Sequence, residues 1–184
     1  MTEKNRNVYL IGMPGSGKST IGRSLAKCLY LTFVDADHAL IARTGVPIAT
    51  IFEVEGEEGF RQREAVLIAE LSERSDILVA TGGGAILRDE NRARLQATGV
   101  VVYLRAKLDD LWARTQHDSK RPLLRAENPR AVLATMLESR EPLYAGLADL
   151  IVETTGYPKV TRLAQEIAAR MVQNQLWEPQ PPPS

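Results

Sequence analysis

Short apolar runs rich in β-branched residues alternate along the chain with longer segments in which apolar residues recur at helical spacing. Parallel strands that are covered by helices on both faces are continuous apolar runs, and Ile77-Leu78-Val79-Ala80 is such a run. The alternation therefore predicts an α/β fold with a doubly wound parallel sheet. The predicted strands are Val8–Ile11, Thr32–Val34, Ile77–Ala80, Val100–Leu104 and Leu150–Val152.

The most regular helical pattern follows Pro158, a residue that suits the first turn of a helix. Its apolar positions share one face and are Val160, Leu163, Ala164, Ile167, Ala168 and Met171. A chain of 184 residues is about one domain long. We expect residues 1–173 to form that domain and residues 174–184 to be a proline-rich, disordered tail. A ligand for another protein is the alternative interpretation of the tail.

The composition argues against several classes of protein. The 23 Lys and Arg residues balance 23 Asp and Glu residues, so there is no basic surplus to track nucleic-acid phosphates. No apolar stretch approaches the roughly 18 residues of a membrane span, and the polar N-terminus does not match a secretory signal. The single Cys28 can form no internal disulfide and is expected in the core. We expect a soluble cytoplasmic protein that binds neither nucleic acid nor membrane.

The strongest chemical signal directly follows the first predicted strand. Residues 12–19, Gly-Met-Pro-Gly-Ser-Gly-Lys-Ser, match the phosphate-binding pattern G-x-x-x-x-G-K-[ST] in the strand-to-helix setting that it requires. The glycines let backbone N–H groups converge on a phosphate, and the next helix contributes its positive N-terminus. Lys18 can reach the β- and γ-phosphate oxygens, and the Ser19 hydroxyl can ligate Mg²⁺. The motif does not by itself distinguish a GTPase, an ATPase motor and a small-molecule kinase.

Two carboxylates follow the second predicted strand, in Phe33-Val34-Asp35-Ala36-Asp37. Extended geometry would aim both side chains the same way, at the sheet edge where open α/β sheets bind ligands. One could lie near the metal while the other accepts a proton from an attacking hydroxyl. The alternative is an Asx turn that ends the strand with two solvated acids.

The third predicted strand ends in Thr81-Gly82-Gly83-Gly84. Three glycines let a ligand approach the backbone and present N–H donors, although a plain flexible turn would have the same composition. The strand does not end in the aspartate with which many P-loop proteins hold Mg²⁺. That role is therefore assigned to Asp35 as a hypothesis.

One predicted helix carries a charge within its apolar face. Phe60, Leu67, Ile68 and Leu71 share the face with Glu64, and Arg61 lies three residues before Glu64. Because a buried charge needs a partner, we expect Glu64 to orient Arg61 toward a substrate anion. An ordinary surface pair has the same spacing. Arg140, which lies near a proline, would by itself be assigned to the surface.

The polar, cationic segment at about 116–128 has no helical period and the length of a lid. A movable lid that carries Arg121 could close over ATP, exclude water and neutralise charge on the transferring phosphoryl group. A solvated linker is the alternative. The two histidines, His38 and His117, lack the spacing of metal ligands.

Taken together, these motifs resemble the shikimate kinase family over about residues 8–171. The motifs that carry the resemblance are residues 12–19, Asp35-Ala36-Asp37, Phe60-Arg61, Gly82-Gly83-Gly84, Arg121-Pro122-Leu123-Leu124 and Arg140-Glu141-Pro142-Leu143-Tyr144. The resemblance implies a three-layer P-loop kinase fold with a five-stranded parallel sheet, a mobile lid and a substrate-binding helical segment at about 37–65. It implies a monomer that transfers the γ-phosphoryl of ATP to the 3-hydroxyl of shikimate in aromatic amino-acid biosynthesis.

The resemblance also implies roles for individual residues. On the nucleotide side, Lys18 and the lid residue Arg121 would act on the phosphates, Arg114 would lie against adenine, and Ser19 and Asp35 would serve Mg²⁺. The remaining cradle residues on that side are Gly15, Ser16, Gly17 and Thr20.

On the acceptor side, Asp37 would bind the substrate hydroxyls and be the candidate base. Arg61, Arg140 and the glycines at 82–84 would hold the carboxylate and ring. Planar guanidinium groups match a carboxylate in a way that lysine does not.

The sequence departs from the family pattern at Tyr30, where a glycine often ends the first helix, and at Tyr157 in the adenine-side loop. Two other functions stay open. One is a different small-metabolite kinase such as a gluconate kinase, and the other is a nucleotide-binding regulatory module with no metabolite acceptor.

Overall fold

The computed structural model describes residues 6–116, 127–155 and 159–179. Its five strands form one parallel sheet in the order β2-β3-β1-β4-β5. Each predicted strand is confirmed to within one residue at either end. The strands are β1 Asn7–Ile11, β2 Thr32–Asp35, β3 Ile77–Ala80, β4 Gly99–Arg105 and β5 Leu150–Glu153.

Helices connect the strands, and one of them is interrupted. The helix α3 bends at Gly56, whose φ of 71° and ψ of −176° are not helical. The helix predicted from the apolar pattern after residue 158 is confirmed as α7. The helices are α1 Lys18–Leu29, α2 Ala36–Thr44, α3 Ile48–Ser72, α4 Asp89–Thr98, α5 Leu108–Thr115, α6 Pro129–Leu147 and α7 Val160–Gln173, with a short 3₁₀ turn at Ala85–Leu87.

The sheet separates two hydrophobic cores, as the three-layer prediction requires. Successive residues of a strand face opposite sides. Val8 and Leu10 of β1 accordingly pack with α1 and α7, whereas Tyr9 and Ile11 pack on the other face with α2 to α6. Both faces are therefore covered by helices, which explains why the strands are continuous apolar runs.

The chain beyond α7 is more ordered than we expected. The Leu176 amide donates to the Met171 carbonyl at 2.9 Å. Trp177 is only 7% exposed and joins the α1 and α7 core, with the Arg6 guanidinium 4.9 Å from the centre of its ring. The prediction of disorder from residue 174 is thus wrong for residues 174–179, because an indole of this size contributes much apolar burial. Residues 180–184 lie outside the described residues.

The expectation that Cys28 lies in the core is also wrong, since its side chain is exposed. The buried stripe of α1 includes Ile21, Leu25 and Leu29, and Cys28 lies just beyond its edge. Within the described residues, none of the helices combines the length and the apolar character needed to cross a membrane.

Helix α1 is followed by a tyrosine whose backbone conformation is strained. Tyr30 follows α1 with φ 55° and ψ 43°, in the left-handed region, where a residue with a Cβ is strained. Gly45 has the equivalent position after α2, with φ 72° and open space around the position of a Cβ. The departure from the family pattern at Tyr30 thus has a local conformational effect.

We expect Tyr30→Gly to raise the free energy of unfolding by about 1 kcal/mol, and the melting temperature by about 2–4 °C. The reverse change, Gly45→Ala, should lower stability by a similar amount. Thermal unfolding of the two variants beside the wild type measures both effects. A Tyr30→Gly variant less stable than the wild type would show that contacts of the tyrosine ring outweigh the backbone strain.

Candidate active site

Three loops meet at the carboxyl edge of the sheet. The phosphate loop, residues 12–17, follows β1, Asp35 ends β2, and the glycine turn, residues 82–84, follows β3. Because β2, β3 and β1 are neighbours in the sheet, these loops lie side by side. Open α/β sheets bind ligands at this edge.

The phosphate loop forms a cradle for an anion. Gly15 and Gly17 have φ of 81° and 95°, a backbone conformation that favours glycine. The Lys18 ammonium donates to the carbonyls of Gly12 and Met13 at 2.8 and 2.9 Å, which holds the side chain along the loop. Within the described residues, the buried Ser16 hydroxyl has no hydrogen-bond partner. The loop therefore combines a cation, a free hydroxyl and a helix N-terminus, which fits a nucleotide phosphate.

A cavity of about 270 Å³ opens beside this cradle. The Arg114 guanidinium lies at its wall and donates to the Gly15 carbonyl at 3.1 Å. Sequence reasoning missed the part of the wall that α7 contributes, although the first turn of a helix after the carboxyl end of β5 was a signal for it. The lining residues are Ser16, Gly17, Thr20, Ile21, Arg114, Thr154, Lys159, Val160 and Leu163.

Asp35 and Asp37 do not extend from the same strand, so this part of the geometric prediction is wrong. Strand β2 ends at Asp35, which caps α2 by accepting a hydrogen bond from the His38 amide at 3.1 Å, while Asp37 lies in the first helical turn. A carboxylate is a favoured helix cap, and here it outweighs strand propagation. The alternative of an Asx turn is correct for the backbone of Asp35. It is wrong that this acid is solvated, because its side chain is only 9% exposed.

The Ser19 hydroxyl donates a hydrogen bond to the Asp35 carboxylate. These are two oxygen ligands of the kind that Mg²⁺ prefers. Ser19 lies in the first turn of α1, and Asp35 lies at the end of β2. No cluster of three or more His, Cys, Asp or Glu side chains that could hold a metal occurs in residues 6–116, 127–155 and 159–179. The donor set fits an ion that the protein holds through few ligands and that also binds phosphate.

Across the glycine turn lies a group of buried charges. Arg61, Glu64 and Arg140 are 7%, 3% and 6% exposed, although they are charged. The Arg61 guanidinium donates to Glu64 Oε2 at 2.7 Å. The expected pairing of Arg61 with Glu64 is confirmed. The alternatives, which were a surface pair and a surface position for Arg140, are wrong because all three side chains are buried. Helix α6 continues through Pro142.

The glycine turn makes room for this group. A Cβ on Gly84 would overlap the Arg61 guanidinium, and one on Gly82 would meet Glu64 and come within 3.3 Å of Asp37 Oδ1. Glycine is therefore required here for close approach of charged side chains rather than for flexibility. Asp37, Arg61, Glu64 and the turn thus converge on one place.

The charges of this group act on one another. Burial raises the pKa of Glu64, and the nearby Asp37 carboxylate adds to this, whereas the charges of Arg61 and Arg140 lower it. Among the described residues, Arg61 Nε and Glu64 Oε1 are buried with no hydrogen-bond partner. Two guanidinium groups beside one unused donor and one unused acceptor make a site for a small carboxylate that also carries hydroxyls.

The lid residue Arg121 lies outside the described residues, as does Tyr157. Helix α5 ends at Thr115, and α6 begins at Pro129 behind the cap Asn128, whose side chain accepts from the Ala131 amide at 3.1 Å. The elements on both sides of the predicted lid are therefore defined, and the lid itself stays a prediction.

A three-layer α/β fold with a phosphate loop and a separate anion site beside it defines a P-loop phosphotransferase. A sequence model of the family described as shikimate kinase matches residues 14–175 of the chain. The chain belongs to the shikimate kinase family.

Individual relatives agree with this assignment. The shikimate kinase of Cupriavidus pinatubonensis is 52% identical over 165 residues, which cover 90% of this chain and 85% of the relative. That of Shewanella denitrificans is 50% identical over 97% of this chain and 98% of the relative. The solved structure of shikimate kinase from Acinetobacter baumannii in complex with shikimate superposes with a TM-score of 0.90 at 43% identity, over 95% of this chain and 97% of that one.

A gluconokinase from Sinorhizobium meliloti shares only the fold. Its TM-score is 0.56 at 19% identity, over 93% of this chain and 95% of that one.

We expect Glu64→Ala to lower the free energy of unfolding by about 1.5–3 kcal/mol, because the buried Arg61 loses its partner at 2.7 Å and keeps only the half-exposed Glu57 at 3.3 Å. Glu55 is a matched control. It pairs with the exposed Arg63 at 2.7 Å on the same helix, so Glu55→Ala should change stability little. Urea unfolding followed by circular dichroism measures both variants. Equal losses of unfolding free energy in the two variants would show that burial does not increase the contribution of the Arg61–Glu64 pair to stability.

Proposed function

We propose that this protein is an ATP-dependent and Mg²⁺-dependent shikimate kinase that phosphorylates the 3-hydroxyl of shikimate. The observation that carries the proposal is the buried group of Arg61, Glu64 and Arg140, which lies across the glycine turn from a phosphate-binding loop. A phosphate cradle alone would suit any nucleotide-binding protein. The buried guanidinium pair adds a second site for an acidic acceptor, next to a glycine turn that packs against Pro14 of the phosphate loop.

On the donor side, Lys18 contacts the β- and γ-phosphates and stabilises charge that develops during transfer. Gly15, Ser16, Gly17 and Thr20 complete the cradle, and Arg114 lies against the base in the 270 Å³ cavity. The resemblance to the family implies that Arg121, in the predicted lid, would help to exclude water from the reacting phosphoryl group. Exclusion matters because water is itself a competent acceptor.

Mg²⁺ would be held by Ser19, with Asp35 supporting it through the hydrogen bond between their side chains. A metal held there would supply positive charge that offsets the charge of the nucleotide phosphates.

On the acceptor side, Arg61 and Arg140 bind the shikimate carboxylate, and the backbone of Gly82, Gly83 and Gly84 lies against the ring. Two planar guanidinium groups fix both the position and the rotation of a carboxylate. The ring hydroxyls then face Asp37, which lies beside Gly82.

Asp37 orients the 3-hydroxyl toward the γ-phosphorus and accepts its proton. A loose transition state for phosphoryl transfer demands little basicity from the acceptor's base, so orientation is the larger part of this role. The proposal also includes a monomeric enzyme in the cytoplasm.

The direct test is phosphoryl transfer from ATP to shikimate in a coupled assay, with and without Mg²⁺. We expect turnover that requires both shikimate and the metal, and no turnover with gluconate. Gluconate turnover without shikimate turnover would identify the other metabolite kinase. ATP hydrolysis that is indifferent to either acceptor would indicate a nucleotide-binding module instead.

Three substitutions separate the donor and acceptor halves. Lys18→Ala should lower kcat by about 10²–10³, the usual effect of deleting a charge-stabilising contact, and we expect a similar loss for Arg121→Ala. Arg61→Ala should raise the KM for shikimate and leave ATP affinity unchanged.

Arg63→Ala is the control for Arg61→Ala, since Arg63 is two residues away on the same helix and forms an exposed pair with Glu55. Steady-state kinetics with each substrate varied in turn distinguishes these outcomes. An Arg61→Ala variant that loses affinity for both substrates equally would argue that Arg61 is structural.

A further inference from the structure

Tyr144 is a buried tyrosine for which the proposed reaction has so far given no role. It lies on α6, one helical turn after Arg140, and is fully buried. Its hydroxyl donates to the Gly83 carbonyl at 2.5 Å. The positive charge of Arg140 also acts on this hydroxyl. One hydroxyl therefore joins two elements that face the acceptor site, the glycine turn and the helix that carries Arg140.

The surroundings of Tyr144 fix its ring. It stacks on Tyr103 of β4 with ring centres 4.9 Å apart and an angle of 21° between the planes. Met13 of the phosphate loop lies 3.9 Å from the hydroxyl through its sulfur, which is a weak acceptor. Pro14 packs on the same turn, because a Cβ on Gly83 would come within 2.8 Å of its ring. The hydroxyl is thus enclosed by the phosphate loop, the turn and α6.

The hydroxyl keeps its proton at working pH. Burial raises the pKa of Tyr144 to about 12, against the opposing charge of Arg140. The hydroxyl therefore remains a donor to the Gly83 carbonyl.

We propose that Tyr144 is a positioning residue for the acceptor, which sets the distance and orientation of Arg140 relative to the glycine turn. The proposal rests on the proposed roles of Arg140 and of residues 82–84 in acceptor binding. Tyr144 does not touch the acceptor. Without this hydroxyl, the Gly83 carbonyl loses its donor, and the helix that carries Arg140 loses this hydrogen bond to the glycine turn.

The chain provides a matched control in Tyr103. It is also buried, stacks on the same ring and uses its hydroxyl for one hydrogen bond. That bond goes to the Glu141 carboxylate and not to the turn. Tyr103→Phe and Tyr144→Phe each remove one buried hydroxyl and keep both rings stacked, so only the second change reaches the acceptor site.

We expect Tyr144→Phe to raise the KM for shikimate about fivefold, the scale of one lost hydrogen bond to a neutral group. The KM for ATP should change less than twofold, and Tyr103→Phe should leave both constants within twofold of the wild type. Steady-state kinetics gives the constants, and melting temperatures report the structural effect of each substitution. A merely structural role would lower both melting temperatures without changing the ratio of the two KM values.

Arg140→Ala is measured in parallel. If it weakens shikimate binding while Tyr144→Phe behaves like Tyr103→Phe, the positioning role is refuted and the acceptor site stands. If Arg140→Ala itself leaves shikimate binding intact, the proposed acceptor site fails and the role of Tyr144 fails with it. A selective rise in the shikimate KM for both Arg140→Ala and Tyr144→Phe supports the proposal.

Discussion

The burial of Arg61, Glu64 and Arg140 is the constraint around which the acceptor side of this protein is organised. Charges removed from water are unfavourable unless they are paired and hydrogen-bonded. Here the pairing brings together α3, α6 and the glycine turn. Each of these elements must hold its position for the charges to satisfy one another. A carboxylate that enters the site would offer an acceptor to Arg61 Nε, which is buried with no hydrogen-bond partner among the described residues.

The donor side follows a different principle. Its binding groups are mostly backbone, directed by the φ angles of Gly15 and Gly17 and by the start of α1. Lys18 is held by two carbonyls of the loop that it serves. Such a cradle is formed before any ligand arrives, so little reorganisation accompanies binding. The protein thus combines a preformed backbone site with a site made from buried side chains.

Most of the fold could be predicted from the sequence, since strands buried on both faces are continuous apolar runs with few alternative interpretations. The phosphate loop was equally clear, because its spacing and its strand-to-helix setting occur together. Asp37 was misjudged, because the choice between one more strand residue and a capped helix depends on Asp35 and His38. Trp177 was misjudged because its burial depends on helices distant in sequence.

The acceptor site was only partly visible in the sequence. The Arg61–Glu64 pair could be found from a charge on an apolar helical face, but nothing local distinguishes the buried Arg140 from a surface arginine. Tyr144 belongs to a motif that carries the family resemblance, but nothing in the sequence indicates its contact with Gly83, which joins residues 61 positions apart. Contacts of this kind are set by the topology of the sheet rather than by any pattern along the chain.

The order of the strands also has a consequence for the evolution of such enzymes. Strand β1 is central, with β2 and β3 on one side and β4 and β5 on the other. The nucleotide cavity uses the ends of β5, α5 and α7, whereas Asp37, Arg61 and the glycine turn belong to the opposite half. Arg140 on α6 is the acceptor residue that comes from the nucleotide half, so mutation can remodel Asp37, Arg61 and the turn while the nucleotide cavity keeps its geometry. A single ancestral scaffold of this kind could diversify its acceptors and retain one phosphoryl donor.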